Sequence, residues 1–355
     1  MARKVIDLRE FIRVLESTGR LSRITREVDW KFELGQITRE NQVPLLFEYI
    51  KNYPGHRVFT NGFSSLTCIA AALGLHPDTN RKALISALKA RVTRPIAPVV
   101  VADSSVFENV MRNDEVDFLR LPIPQWSEQE KGRYLGTWHI NVTKDPETGI
   151  RNVGVYRMQV LGRKQATVST SPSSHLAQQF AKAEKKGNPL AMAVAIGVPE
   201  SVIMAAAAAY PAGCDEFELA GALQARALDL VQCQTVQLEA PAASEIVIEG
   251  QLMTGVRAQD GPYFDYTGRT DINPNAFLFE ARQIMFRNAP IFRGAAIGVP
   301  GAEDHQLFSI LSELHLADFH GWRIKQSIQN QLLRTRRFRA LQWSARVGSM
   351  MPKLR

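Results

Sequence analysis

Residues 136–161 read GTWHINVTKDPETGIRNVGVYRMQVL, and their pattern decides the fold. GTWHINVT and RNVGVYRMQVL are short runs rich in β-branched and aromatic residues, and the KDPETG between them is a turn signal. The stretch predicts a β-hairpin carrying Asn152 and Arg157 on its second arm. Towards the C-terminus, a helix capped by Ser173 or Ser174 runs to the Gly187 stop, and a second helix starts near Asp215. EIVIEGQL at 245–252 alternates with period two, and FEARQIMF (279–286) and IFRGAAIG (291–298) read as later strands.

Towards the N-terminus the pattern changes. LPIPQW at 121–126 holds Pro122 and Pro124, so it reads as a linker or an edge. Before it, the apolar runs RVFTNGF and CIAAALGL precede a helical KALISALKARV. At the start, Asp7 caps a helix with Glu10 three residues on. Leu8, Phe11, Ile12 and Leu15 form its apolar face, and Gly19 ends it. Mixed strand and helix at this spacing predicts a small α/β unit.

Composition narrows the class. With 45% apolar and 22% charged residues over 355 positions, the chain is an ordinary folded protein, neither disordered nor a coiled coil. No apolar run spans a bilayer, since Leu190–Cys214 is broken by Pro199, Glu200 and Pro211. MARKVIDLREF lacks the apolar core of a signal peptide. Cys68, Cys214 and Cys233 are too scattered for a disulfide framework or a zinc knuckle, which predicts a cytoplasmic protein. Residues 316–355 hold nine Lys or Arg against Asp318 alone, which equals the net charge of +8 for the whole chain. The first 315 residues are therefore neutral, and a nucleic-acid partner is not expected.

Several polar groups stand beside turns or helix starts. Asn152, His175 in a helix first turn and Glu216 at the next helix start supply an amide oxygen, an imidazole and a carboxylate. That donor set suits Mn²⁺ or Mg²⁺ better than structural zinc. Taken singly, a histidine near a helix start is more often a cap or surface residue. In QDGPYFDYTG (259–268), Asp260 and Asp265 flank a Gly-Pro turn that can bring two carboxylates into one pocket. With an arginine holding one acid ionised, the other can take a raised pKa and deliver a proton. Aspartates favour turns in any case, and spacing alone leaves that simpler reading ahead.

Taken in order, the motifs resemble the UbiD-type decarboxylases, a family that includes 3-polyprenyl-4-hydroxybenzoate decarboxylase. The resemblance rests on DLREFIRVLESTGRLSRITREVD, GRYLGTWHINVTKDPETGIRNVGVYRMQV, SSHLAQQFAKAEKKGNPLAMAVAIG, CDEFELAGAL, APAASEIVIEG and DGPYFDYTG, and covers about residues 5–310. It implies an α+β fold: an N-terminal α/β domain at 1–110, a flavin-reductase-like split β-barrel at 111–300, and a helical tail at 301–355. It also implies prenylated FMN supplied by a flavin prenyltransferase, with Mn²⁺ (or Mg²⁺) and often K⁺ at its phosphate. The family's metal ligands fall on Asn152, His175 and Glu216. Thr137, Val155 and Arg157 fall at cofactor-binding positions, and Arg157, Asp260 and Asp265 fall at the catalytic ones. The implied reaction is reversible, non-oxidative decarboxylation of an aromatic or α,β-unsaturated carboxylic acid.

Three departures stand out. Asp260 replaces the family's usual glutamate, so its pairing with Arg157 is expected to be longer or water-bridged. Phe264 replaces a small residue before the second acid. The match fades after GVPGAEDHQLFSIL, where relatives continue into a sizeable α/β domain, and a basic tail follows instead. An accessory subunit that needs a second polypeptide is therefore the rival reading, and a flavin reductase is a weaker one. Assembly as a homo-oligomer or with a partner subunit is expected. In the tail, Ile324, Ile328 and Leu332 recur every four residues near Leu333, Phe338 and Leu341. That amphipathic pattern suits packing on the protein itself, peripheral contact with an anionic membrane, or a partner.

Overall fold

A computed structural model describes residues 5–208, 210 and 213–318. The first helix forms as the capping signal predicts: α1 is Leu8–Ser17, with the Asp7 side chain accepting from the Glu10 N–H. Its face of Leu8, Phe11, Ile12, Val14 and Leu15 is buried, and Gly19 leaves the helix at a φ of 66°. There follow β1 (Ser22–Val28), α2 (Glu33–Glu40), β2 (Leu45–Ile50), β3 (Arg57–Thr60), α3 (Leu66–Ala72) and α4 (Arg81–Val92). The run CIAAALGL is thus mostly helical, because Ser65 caps it and its alanines favour helix over strand.

After β4 (Val99–Val101) and β5 (Asn109–Arg112), the segment 121–126 has no regular structure, yet Ile123 and Trp126 are buried. It is a packed seam rather than an exposed linker. Gly35 on α2 is needed there, since a Cβ would lie 1.9 Å from the Trp126 carbonyl oxygen.

The second layer comprises β6 (Tyr134–Gly136), β7 (Ile140–Lys144), β8 (Arg151–Gly154), β9 (Met158–Gln159), β10 (Gln165–Val168), α5 (His175–Lys185) and β11 (Leu190–Ile196). It continues with α6 (Glu200–Ala207), α7 (Glu216–Leu223), β12 (Asp229–Gln232), β13 (Glu239–Pro241), β14 (Ile246–Phe264) and β15 (Thr270–Phe286). A curled antiparallel sheet runs in the order β10-β15-β14-β11-β7-β8, with β5 added to β15. Its central strand β11 alternates sharply. Met192, Val194 and Ile196 join one core, while Ala193 and Ala195 join the other, which α6 also lines.

The chain then returns to its first layer. β16 (Ile291–Arg293) pairs in parallel with β3, completing a sheet of order β1-β2-β3-β16. α8 (Glu303–Asp318) follows. A buried ion cluster pins this return. Arg293 Nε donates to Glu200 at 2.9 Å and Nη2 to Glu303 at 2.7 Å, while Glu303 also accepts the N–H groups of Asn61 and Phe63. All three ionic side chains are essentially without solvent exposure. The basic tail pattern at 322–341 lies outside the described residues. Among the described residues, no helix is long and apolar enough to cross a membrane.

Candidate functional site

The predicted hairpin forms. β7 pairs antiparallel with β8, placing Thr143 opposite Asn152 and Asn141 opposite Gly154. The second arm then breaks. A Cβ on Gly154 would lie 2.6 Å from the Tyr156 ring, so glycine allows that ring to fold back over the strand. Val155, Tyr156 and Arg157 leave the sheet before β9 pairs with β6. Arg157 is thereby lifted off the ladder and turned towards the end of β14.

There Arg157 meets two carboxylates. Its Nε donates to Asp260 Oδ1 at 2.6 Å and its Nη1 to Asp271 Oδ2 at 2.9 Å. The expected lengthening of the Arg157–Asp260 contact does not occur, since the two side chains bond directly. Asp260 is fully buried, and its second oxygen accepts from Thr167 Oγ1 at 2.6 Å. Burial pushes the Asp260 carboxyl above its ordinary value, against the opposing pull of Arg157. The guanidinium lies 4.8 Å from the centre of the Tyr263 ring, which itself packs on Tyr134. Arg157 Nη2 is buried and has no hydrogen-bond partner.

Asp265 does not join this cluster. Its Oδ1 accepts from Thr267 N–H at 2.8 Å and from Thr267 Oγ1 at 2.5 Å, and its backbone N–H donates to Arg269 O at 2.9 Å. It caps the turn between β14 and β15, five residues along the chain from Asp260. Thr137 is buried, with its hydroxyl exchanging hydrogen bonds with the Ala295 backbone at 2.7 and 2.8 Å. Val155 is half-buried in the break.

Two of the three candidate metal ligands, Asn152 and Glu216, lie near Tyr156, and the third, His175, precedes a residue whose backbone meets it. Val153, next to Asn152, donates its N–H to Glu216 Oε2 at 2.9 Å. The Tyr156 hydroxyl lies 3.5 Å from Asn152 Nδ2 and meets the backbone of Leu176, next to His175 at the start of α5. Burial pushes the Glu216 carboxyl up to about 8. It also pushes the Tyr156 hydroxyl up to about 12, with the Glu216 charge adding to it. Among the described residues, no group of three His, Cys, Asp or Glu is placed to hold a metal, so an ion here would need the Asn152 oxygen. Amide oxygen, imidazole and buried carboxylate are a donor set that fits a divalent cation.

Three further residues escaped the sequence reading. Asp271 stands opposite Tyr263 in the β14/β15 register, so counting across the DYTG turn would have found it. Thr167 and Tyr134 arrive through the fold alone and carry no local signal. Behind Phe264 lies a fourth group, Glu130, which accepts from Trp126 N–H at 2.9 Å beside Arg39. Burial pushes its carboxyl up to about 7. In the unfolded chain it ionises near its ordinary value, so its contribution to stability is full at low pH and is lost as pH rises through about 7. The expected slope is at most about 1.4 kcal/mol per pH unit for one proton. Glu130→Gln should flatten this fall in urea unfolding between pH 5 and pH 8, and equal slopes in both proteins would assign it to other groups.

Comparison with known proteins matches most of the chain. Residues 12–88 match the 3-octaprenyl-4-hydroxybenzoate carboxy-lyase N-terminal domain, and residues 99–300 match the Rift-related domain of the same enzyme. The chain is 30% identical to the pyrrole-2-carboxylic acid decarboxylase of Pseudomonas aeruginosa, over 90% of this chain and 67% of that protein. The UbiD-class enzyme HmfF from Pelotomaculum thermopropionicum, solved as an evolved dimeric form in complex with prFMN, superposes with a TM-score of 0.81. It is 33% identical, over 87% of this chain and 71% of that one. The vanillic acid decarboxylase of Sedimentibacter hydroxybenzoicus in closed form gives 0.84 at 31% identity, over 87% and 68%. The chain spans about two thirds of the length of the curated relatives it matches. With both domains matched in order along the chain, the chain belongs to the UbiD family of carboxy-lyases.

Proposed function

We propose that this chain carries out reversible, non-oxidative decarboxylation of an aromatic or α,β-unsaturated carboxylic acid with prenylated FMN on a split-barrel sheet. The observation that carries the reading is the buried, unpartnered Nη2 of Arg157. A guanidinium fixed by Asp260 and Asp271 on its other two nitrogens has one nitrogen left without an acceptor, and a substrate carboxylate is its natural partner.

Prenylated FMN, when bound, supplies the electron sink for the charge left as carbon dioxide departs. Asn152, His175 and Glu216 would hold its phosphate through Mn²⁺ or Mg²⁺, with K⁺ nearby, and Thr137 and Val155 would line it. Arg157 binds and orients the carboxylate. Asp260, itself held by Thr167, fixes the plane of Arg157. From its turn, Asp265 delivers a proton to the product carbon; in the carboxylation direction it takes that proton up. Assembly with a second copy or a partner subunit belongs to the same reading.

The His175→Ala variant tests the cofactor half of this proposal. Loss of bound Mn²⁺ and of flavin together is expected, because the phosphate loses its bridging charge. The readouts are metal content and flavin absorbance of the purified protein. Full retention of both would make His175 a helix-start residue with no ligand role.

A further inference from the structure

The turn that carries Asp265 is held from outside by the start of α8. His305 Nε2 lies 2.9 Å from the carbonyl oxygen of Tyr266, and Gly301 N–H donates to His305 Nδ1 at 3.2 Å. A carbonyl on one side and an N–H on the other fix one neutral tautomer, with the proton on Nε2. Tyr266 lies between Asp265 and Thr267, the residue whose N–H and hydroxyl both bind the Asp265 carboxylate. One turn of α8 further on, Phe308 meets the Tyr266 ring edge-on at 6.3 Å. Gly298 adds a third constraint. Its φ is +93°, and a Cβ there would stand 2.3 Å from the Phe264 ring and 3.0 Å from the Asp265 carbonyl oxygen. Residues 298–308 thus clamp residues 264–267 from one side.

We infer that His305 is a positioning residue that sets the turn from which Asp265 acts. The inference rests on the proposed role of Asp265 as proton donor. His305 touches a backbone carbonyl, so its effect passes through the geometry of the turn. Without that anchor the turn opens more often, and the carboxylate spends less time where a proton can be delivered.

Three substitutions separate the contacts. His305→Gln keeps a donor at about the position of Nε2, whereas His305→Asn keeps only an acceptor at about the position of Nδ1. His305→Ala keeps neither. Amide hydrogen exchange over 265–269 is measured with kcat, KM and flavin content on the folded proteins. Exchange at Thr267 is expected to quicken about tenfold in the Ala and Asn variants and to recover in Gln. In those two variants kcat should fall about tenfold to a hundredfold, with KM and flavin content little changed. Unchanged exchange at Thr267 in both the Asn and Ala variants would overturn the inference, whatever happens to turnover. If the parent itself turns over no acid, the decarboxylase reading fails, while the exchange result still decides whether His305 holds the turn.

Discussion

Arg293→Met is expected to cost the fold about 3–5 kcal/mol, the usual penalty for stranding a buried charge. The variant leaves Glu200 and Glu303 facing each other without a cation in a site with essentially no solvent exposure. Burial already pushes the Glu200 carboxyl above its ordinary value, with Arg293 as the opposing influence. Glu303 keeps the Asn61 and Phe63 amides, so most of the loss falls on Glu200. The double variant Arg293→Met/Glu200→Gln should therefore be more stable than Arg293→Met alone. Urea unfolding of the three proteins checks this. A loss below about 1 kcal/mol in the single variant would show that the cluster contributes no more than a surface pair.

Asp265→Asn should lower turnover by about a hundredfold or more, the range for removing a general acid. The amide keeps the size of the side chain and can still accept from Thr267, so the turn and the cofactor content should persist. A variant with turnover within a few-fold of the parent would move proton delivery to another group. Asp260→Glu probes the neighbouring acid. Because Asp260 already pairs directly with Arg157 and fills a closed site with Thr167, the longer side chain is expected to disturb both bonds and lower turnover.

Local signals identified much of this architecture. The Asp7 and Ser174 caps, the KDPETG turn and the period-two run at 246–252 all produced the elements they predicted, because each depends on neighbours within a few residues. What escaped depended on distance. The strand at 291–293 joins β3 across the whole intervening sheet, and no local pattern records that choice. Pro122 and Pro124 ruled out a helix interior or a central strand, yet the close packing of their segment on α2 at Gly35 carries no local signal. In the candidate site, the side-chain chemistry of Arg157 and Asp260 was legible from residue type and resemblance. Their direct bond, the support of Thr167 and Asp271, and the separate hydrogen bonding of Asp265 follow only from three-dimensional placement.

The most direct test of the account is exchange of solvent deuterium into the product carbon by the chain loaded with prenylated FMN and Mn²⁺. A panel of hydroxybenzoates, cinnamates and heteroaromatic acids, with their decarboxylated products, would be followed by NMR and by release of carbon dioxide. Exchange and release with at least one pair, both lost in Arg157→Met and in Asp265→Asn, is the predicted result. A chain that holds the cofactor by its absorbance spectrum, yet exchanges no product and releases no carbon dioxide across the panel, would contradict it.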